Sequence, residues 1–274
     1  MKDSVVIERQ DGTIYILEEL GIRVISFNPP GPNIQHTFQS LGTYKNLWVD
    51  MNVQQLTIPL IFDVYATDNY DYELKRLKVL KIFRSHEEFY IYTSRIPYLR
   101  WRVVAETFSY PRKDNFWLAS NISVNLVCAT GYAETAQTTL EPFTFDRSTW
   151  GFGLGINLSD PPVYSFQNIK KFNFINLGTI PLLCEQHPVT ILFKGIVNDQ
   201  LTIKNNRTNQ TWAFKRKLTK QDQLLIEGMV PSVNNALAFN QCNHSYLDYL
   251  IGDNQIEISG TDDFTISFDT RFYY

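Results

Sequence analysis

The chain has 274 residues, 44% hydrophobic and 14% aromatic, with 25 Lys and Arg against 28 Asp and Glu. That length suffices for one large domain or two ordinary ones, and 15 Tyr with 19 Phe suit half-buried pleated surfaces, so a mainly β protein is expected. A net charge of −3 without a basic tail or block leaves no footprint for counterion-release binding to nucleic acid, and no apolar run approaches the roughly 20 residues of a membrane span.

The opening "MKDSVVIERQDGT" carries charges where a signal peptide needs an apolar core, which reads as a protein made in the cytosol. Strand-like segments "SVVIER", "TIYILEEL" and "IRVISF" stop at the breaker-rich "NPPGPN", residues 28–33. After a second turn signal, "LGTYKN", the segment "VQQLTIPLIFDVYA" reads as one long strand. Pro59 inside it argues for an edge position or a bulge. The convincing helix begins at "TDNYDYELKRLKVLKIFRS", about residues 69–84. Asp68 or Asn69 can cap it, Asp71 and Glu73 sit in its first turn, and Lys75, Arg76, Lys78, Lys81 and Arg84 follow in the order the helix dipole favours. Tyr70, Leu74, Leu77 and Leu80 or Lys81 keep a three-to-four spacing, which predicts one stripe buried on the first domain's sheet. On that reading Leu77→Ala costs about 2–5 kcal/mol. The basic run reads as the solvated face of the same helix.

Three strands follow: "EFYIYTS", "YLRWRVVAETFSY" and "FWLASNISVNLVCAT". In the last, Ile122, Val124, Leu126 and Cys128 alternate with mainly polar residues, as in a half-exposed antiparallel sheet. A polar, Thr-rich stretch, "GYAETAQTTLEPFTFDRSTWGFGLG", then marks the best domain boundary. The expected organisation is a first domain over residues 1–137, a linker and crossing over 138–155, and a second domain over 156–274, with protease cleavage near Ala136 to Pro142. Gly151, Gly153 and Gly155 invite a phosphate-loop reading, but Pro161 and Pro162 oppose the helix such a loop needs and no Lys-Ser or Lys-Thr pair follows. Beyond the boundary come only strands: "KKFNFINLG", "VTILFKG", "QLTIKNN", "QTWAFKRKL", "DQLLIEG", "NQIEISG" and "DFTISFDTRFYY". Short strands at this spacing predict a β-sandwich.

Catalytic patterns are missing. Cys128, Cys184 and Cys242 form no CxxC pair and read as buried thiols. His36, His86, His187 and His244 show no metal-ligand spacing, with only Cys242 loosely beside His244, so neither metal nor cofactor is expected. Asp262 with Asp263, and Glu18 with Glu19, are neighbours in sequence, whereas a glycosidase holds its carboxylates roughly 5–9 Å apart across a sugar. Adjacent strand residues face opposite ways, so no enzyme is expected. Trp212 and Trp150 are the candidates for stacking on a sugar or for an interface, with core packing as the alternative.

Taken together, the order of segments resembles the distal tail proteins (Dit) of long-tailed, non-contractile phages that infect Gram-positive bacteria. In the first half the resemblance rests on "LTIPLIFDVYATDNYDYELKRLKVLKIF", "EFYIYTSRIPYLRWRVVAETF" and "SVNLVCATGYAET". In the second it rests on "FINLGTIPLLCEQHPVTILFKGIVNDQLTIKNNRTNQTW", "DQLLIEG", "YLDYLIGDNQIEISG" and "RFYY". The resemblance implies a β-sandwich-like, ring-forming N-terminal domain with one α-helix and a galectin-like β-sandwich at the C-terminal end. It further implies a homo-hexameric ring at the virion tail tip, assembled in the host cytoplasm. The implied partners are the tail tube protein, the tail-associated lysin or fibre protein, the receptor-binding protein and the tape measure protein. DNA passes the channel without specific binding, and nothing inserts into a membrane. No histidine is followed by the His-x-Asn-Pro-Arg run of sugar-binding galectins, which separates the galectin likeness from lectin activity. The second reading is an adhesin that recognises host cell-wall glycan through the C-terminal domain. A channel that DNA must clear is expected to be walled by acidic or uncharged residues, with the helix cations from Lys75 to Arg84 turned away from it.

Overall fold

Alternation of apolar and polar side chains decides the first half of the chain, as it must where one face of a sheet is buried and the other wet. The computed structural model describes residues 4–113, 118–144, 149–151, 153–157 and 159–274, and the chain divides into two compact units, residues 1–134 and 135–274. The first unit runs β1 (Val5–Glu8), β2 (Ile14–Ile16), β3 (Ile22–Phe27), β4 (Ile34–Ser40), β5 (Asn46–Val53), β6 (Leu56–Tyr65), α1 (Asn69–Ile82), β7 (Phe89–Thr93), β8 (Leu99–Ala105) and β9 (Leu118–Cys128), with the short β10 (Glu134–Thr135) at the division. Its main sheet has the order β2-β1-β7-β8-β9-β6-β3. In β9, Ile122, Val124, Leu126 and Cys128 are buried and Asn121, Ser123 and Asn125 exposed, as the alternation requires.

Pro59 lies within β6 opposite Asn125 of β9, one residue beyond the Leu60–Phe27 pair where the register with β3 ends. A residue without a backbone N–H is tolerated there because that flank of the strand has run out of partner. Nearby the register slips between Phe62 and Val64, and the Asp63 carboxylate accepts the Asn121 N–H at 2.8 Å, so the bulge keeps its polar group satisfied.

The helix is capped by Asp68, which accepts the Asp71 N–H at 2.8 Å. Its buried residues are Tyr72, Val79 and Ile82, followed by Phe83. The stripe expected to be buried is turned outward: Tyr70 is 86% exposed, Leu74 66% and Leu77 61%. At about 100° per residue the two sets lie on opposite sides of the helix, and the side that includes Lys75 is the one the sheet covers. Lys75 fits because its long apolar stem lies along the protein while its Nζ donates to the Tyr65 carbonyl at 2.6 Å. The corrected expectation for Leu77→Ala is therefore a change within about 0.5 kcal/mol, the scale of an exposed substitution, measurable by denaturant unfolding. A loss of about 2 kcal/mol or more would restore the inward placement.

Beneath the helix, the Phe83 ring stacks on Phe62 at 5.6 Å and meets Phe89 and Phe108 edge-on at 6.5 and 5.8 Å. Arg9, nearly buried, lies over the Phe89 ring and pairs with Glu87 at 2.7 Å. That ion pair, then the one from Arg84, holds the Glu87 carboxyl below its ordinary value.

The second unit is a two-sheet sandwich. Its strands are β11 (Ser165–Gln167), β12 (Lys171–Asn176), β13 (Thr190–Gly195), β14 (Leu201–Asn205), β15 (Gln210–Phe214), β16 (Gln223–Glu227), β17 (Val230–Val233), β18 (Ala236–Leu237), β19 (Gly252–Ser259) and β20 (Phe264–Asp269). One sheet has the order β11-β20-β13-β16-β17-β18 and the other β12-β19-β14-β15. Aromatic rings tie them together: Phe166 stacks on Phe172 at 3.7 Å, and Phe268 meets Phe172 and Phe174 at 5.7 and 5.5 Å. Asn234 and Asn235, both at positive φ, make the two-residue turn between β17 and β18, the role for which Asn is favoured.

The Thr-rich stretch after residue 134 is not an open tether. Thr135 donates its N–H to Phe272, Thr139 donates its N–H to Thr270, and the Thr139 hydroxyl donates to the Phe268 carbonyl at 2.6 Å. Thr135, Ala136 and Thr139 are buried. These bonds hold Thr135 to Thr139, whereas Leu140 to Pro142 are exposed, so within the stretch expected for cleavage the accessible part is its C-terminal end, since a protease needs a backbone segment that can leave its partners.

Candidate functional site

Pairing fixes the two faces of the β4–β5 hairpin. Ile34 opposes Val53, His36 opposes Met51 and Phe38 opposes Trp48, while Gln35 opposes Asn52, Thr37 opposes Asp50 and Gln39 opposes Leu47. Successive strand residues point to opposite sides, so the first three pairs make an apolar face and the others a mainly polar one. The His36 ring, 6.2 Å from Phe38 and 6.0 Å from Trp48, joins the apolar face into one patch. Every residue from 30 to 52 is exposed, with Phe38 at 62%, Trp48 at 61% and Tyr44, near the tip, at 99%. A two-stranded ribbon is marginal in water by itself, and a contiguous exposed apolar patch marks a contact surface.

The outer face of α1 adds a second apolar strip, Tyr70, Leu74 and Leu77. Its surroundings are less basic than the sequence implies. Lys75 pairs with Asp71 at 2.9 Å, Arg76 with Glu73 at 3.2 Å and Arg84 with Glu87 at 2.9 Å. The Lys75 ammonium, and then the Thr67 N–H, hold the Asp71 carboxyl below its ordinary value. The cations are thus spread around the helix and partly neutralised.

Neither tryptophan singled out from the sequence lies at the surface. Trp150 and Trp212 are each 1% exposed, Trp150 against Phe143 at 4.4 Å and Trp212 stacked with Phe214 at 5.8 Å. A sugar platform needs an open ring face, so both belong to the interior in this structure. The paired carboxylates are separated in use: Asp262 bonds to Lys170 and Asp263 to Lys220. The Cys242 thiol lies 3.9 Å from His244 Nδ1, but no group of three metal-binding side chains occurs among the described residues. The second unit has shallow grooves. One of about 470 Å³ is lined by Lys171, Phe172, Asn173, Asn206, Gln255 and Ile256. Another, of about 370 Å³, runs past Lys194, Lys220, Gln223, Asn234 and Asn235. The walls of the latter are polar and offer no ring for stacking.

The hairpin is the feature that sequence reading missed. Its signal was present, because "IQHTF" and "LWVDM" alternate on either side of the recognised "LGTYKN" turn.

Residues 5–128 match the family described as phage tail protein RIFT-related domain. No curated protein sequence matches the chain. Among solved structures, the chain is similar to the Dit protein of phage SPP1, described as a paradigm of the hub adsorption apparatus in phages infecting Gram-positive hosts, with a TM-score of 0.71 and 9% identity over 99% of this chain and 100% of that one. Chains of the phage P2 baseplate in its activated conformation also align, with Ca at a TM-score of 0.48 and 10% identity, and with Sr at 0.47 and 9%, each over 98% of both chains.

Proposed function

We propose that this chain, whose first unit carries the phage tail protein RIFT-related domain and whose whole length follows the fold of SPP1 Dit, is a distal tail protein: a structural hub at the virion tail tip and not an enzyme. Six copies close into a ring that joins the tail tube to the host-adhesion device. Residues 1–137 serve as the ring-forming part, 138–155 as the crossing, and 156–274 as a galectin-like sandwich, a reading supported by its two facing antiparallel sheets. The tail-associated lysin or fibre protein, the receptor-binding protein and the tape measure protein are the neighbours expected around it.

The single observation that carries this reading is the β4–β5 hairpin, exposed along its length with an apolar face, which a monomer leaves without a partner. Rotational assembly covers such surfaces with neighbouring subunits. Light scattering with negative-stain imaging down the particle axis tests it. A closed six-membered ring is expected, whereas a monomer that binds cell-wall glycan would replace the hub by an adhesin.

A channel through the ring passes DNA without holding it. The polar face of the hairpin suits such a wall, since Gln35, Thr37, Asn52 and Asp50 offer amides, a hydroxyl and one carboxylate but no cation for a phosphate. The assembled protein is expected to show no measurable retention of double-stranded DNA at low ionic strength, where non-specific attraction is strongest. Tight, salt-sensitive binding that vanishes when Lys75, Lys78 and Lys81 are neutralised would sink the idea.

A further inference from the structure

We propose that the outer face of the six-stranded sheet in the second unit pairs with the same face of a second copy of this chain, about a two-fold axis along the row Leu192, Leu225, Ser232 and Leu237. The register sets these residues side by side across the sheet. Leu192 opposes Leu225 on one side and Ser267 on the other, Leu225 opposes Ser232, and Ser232 opposes Leu237. Their neighbours along the strands, Ile191, Phe193, Leu224, Ile226 and Val233, are buried in the sandwich, so the row lies on the solvent side. Leu237, at the β18 edge, is 79% exposed. Two adjacent leucines in mid-sheet, small serines beside them and a third leucine at the edge make an apolar stripe of low relief.

The two flanks of the stripe carry opposite charge. On one flank Lys194 opposes Gln223. On the other, Thr190 lies between Glu227 of β16 and Asp269 of β20. Lys194 and Glu227 are exposed, and among the described residues neither is in an ion pair. Nearby, Lys220 is taken by Asp263, and Asp222 is held by Thr219 and Asn234, so Lys194 is the cation left over. A two-fold contact requires a patch that complements itself. Rotation about the row lays leucine on leucine and exchanges the flanks. Lys194 of each copy then stands over Thr190 of the other, with Glu227 and Asp269 one strand spacing to either side. A different protein on this face would need no such antisymmetry of charge, which is why the occupant is a second copy. Six strands at about 4.8 Å make the face about 24 Å wide, and Thr190 to Lys194 spans about 13 Å. That is smaller than the roughly 800 Å² per partner of a stable interface, so the contact is weak and reversible.

Light scattering of the full chain over a concentration series tests this, at low ionic strength where surface charges are least screened. The mass should rise to at least twice that of the species present before pairing, whether that species is a ring or a single 31.9 kDa chain. A parent that passes from one chain to two would remove the ring and keep this contact, so the two readings fail separately. Lys194→Glu and Glu227→Lys alter exposed positions, and each should keep the parent's thermal unfolding midpoint. Lys194→Glu sets like charges against each other and should weaken the doubling by about tenfold or more. Glu227→Lys should weaken it less, because Asp269 remains. An equal mixture of the two variants should pair more tightly than either alone, since the cation kept by one meets the carboxylate kept by the other. A parent that never doubles, a Lys194→Glu chain that pairs as strongly as the parent, or a mixture no tighter than its components would overturn the proposal.

Discussion

Phe62→Ala is expected to remove about 3–5 kcal/mol of the first unit's stability, the cost of deleting a fully buried aromatic ring. Phe62 is inaccessible to solvent and its ring lies 5.6 Å from that of Phe83, nearly parallel. Phe83 in turn touches Phe89 on β7 and Phe108, so the deleted ring is the piece by which β6 meets the end of the helix. The lost contacts open a cavity that these neighbours fill only by moving, and aromatic cores relax poorly because each ring is already wedged by the next. Against a usual total of 5–15 kcal/mol this is a large fraction, visible as a midpoint lower by about 10 °C or more. The check is thermal unfolding of the full chain, with Leu77→Ala as the surface control. A loss below about 1 kcal/mol would show that the Phe62 ring is not wedged between sheet and helix.

Gly260→Ala should be comparably severe for a different reason. The backbone there has φ +89°, and an added Cβ would lie 1.7 Å from the Gln200 carbonyl oxygen and 2.9 Å from its carbon. Positive φ alone costs a side chain about 1–2 kcal/mol, and forced displacement of packed atoms typically adds 1–3 kcal/mol or more. The clashing atoms are backbone next to the start of β14, which pairs with β19 from Thr202 opposite Ser259, so relief requires the two strands to separate. Gly153, at φ +92° with nothing within 4 Å of where a Cβ would stand, separates the contributions: Gly153→Ala should carry only the conformational cost. The two variants compared by denaturant midpoint should differ by about 2 kcal/mol or more, and equal losses would refute the close backbone approach at Gly260.

The strands were legible wherever one face is wet. Ile122, Val124, Leu126 and Cys128 announced β9 by alternation, and the segments from "KKFNFINLG" to "DFTISFDTRFYY" contain the longer strands of the second unit. The helix was legible through Asp68 and its three-to-four spacing. Which side of it faces the sheet was not, because α1 carries two apolar sets and periodicity weighs them equally. Its inner set is interrupted by Lys75, whose head escapes to the Tyr65 carbonyl, a contact made only once β6 is in place. Fully buried Asn205 and Asn254 were equally silent. Asn205 donates to the Asp248 carbonyl at 2.8 Å and Asn254 to that of Leu250 at 2.7 Å, so their polarity is satisfied by a loop more than 40 residues from Asn205 in sequence. The candidate surface was hidden for the opposite reason. A hydrophobic strand reads as core, whereas Phe38 and Trp48 are 62% and 61% exposed.

The bonds from Thr139 to Phe268 and Thr270 have a consequence for the order of events on the ribosome. The first unit has all its strands once residue 134 has been added, so it is free to fold while synthesis continues. The second must keep Thr135 to Thr139 waiting until residues 268–272 emerge, and at about 5–20 residues per second that delay is roughly 7–28 s. During that interval the hairpin and helix faces are already displayed. The first half of the chain is therefore presented in its folded form before the second sandwich has closed.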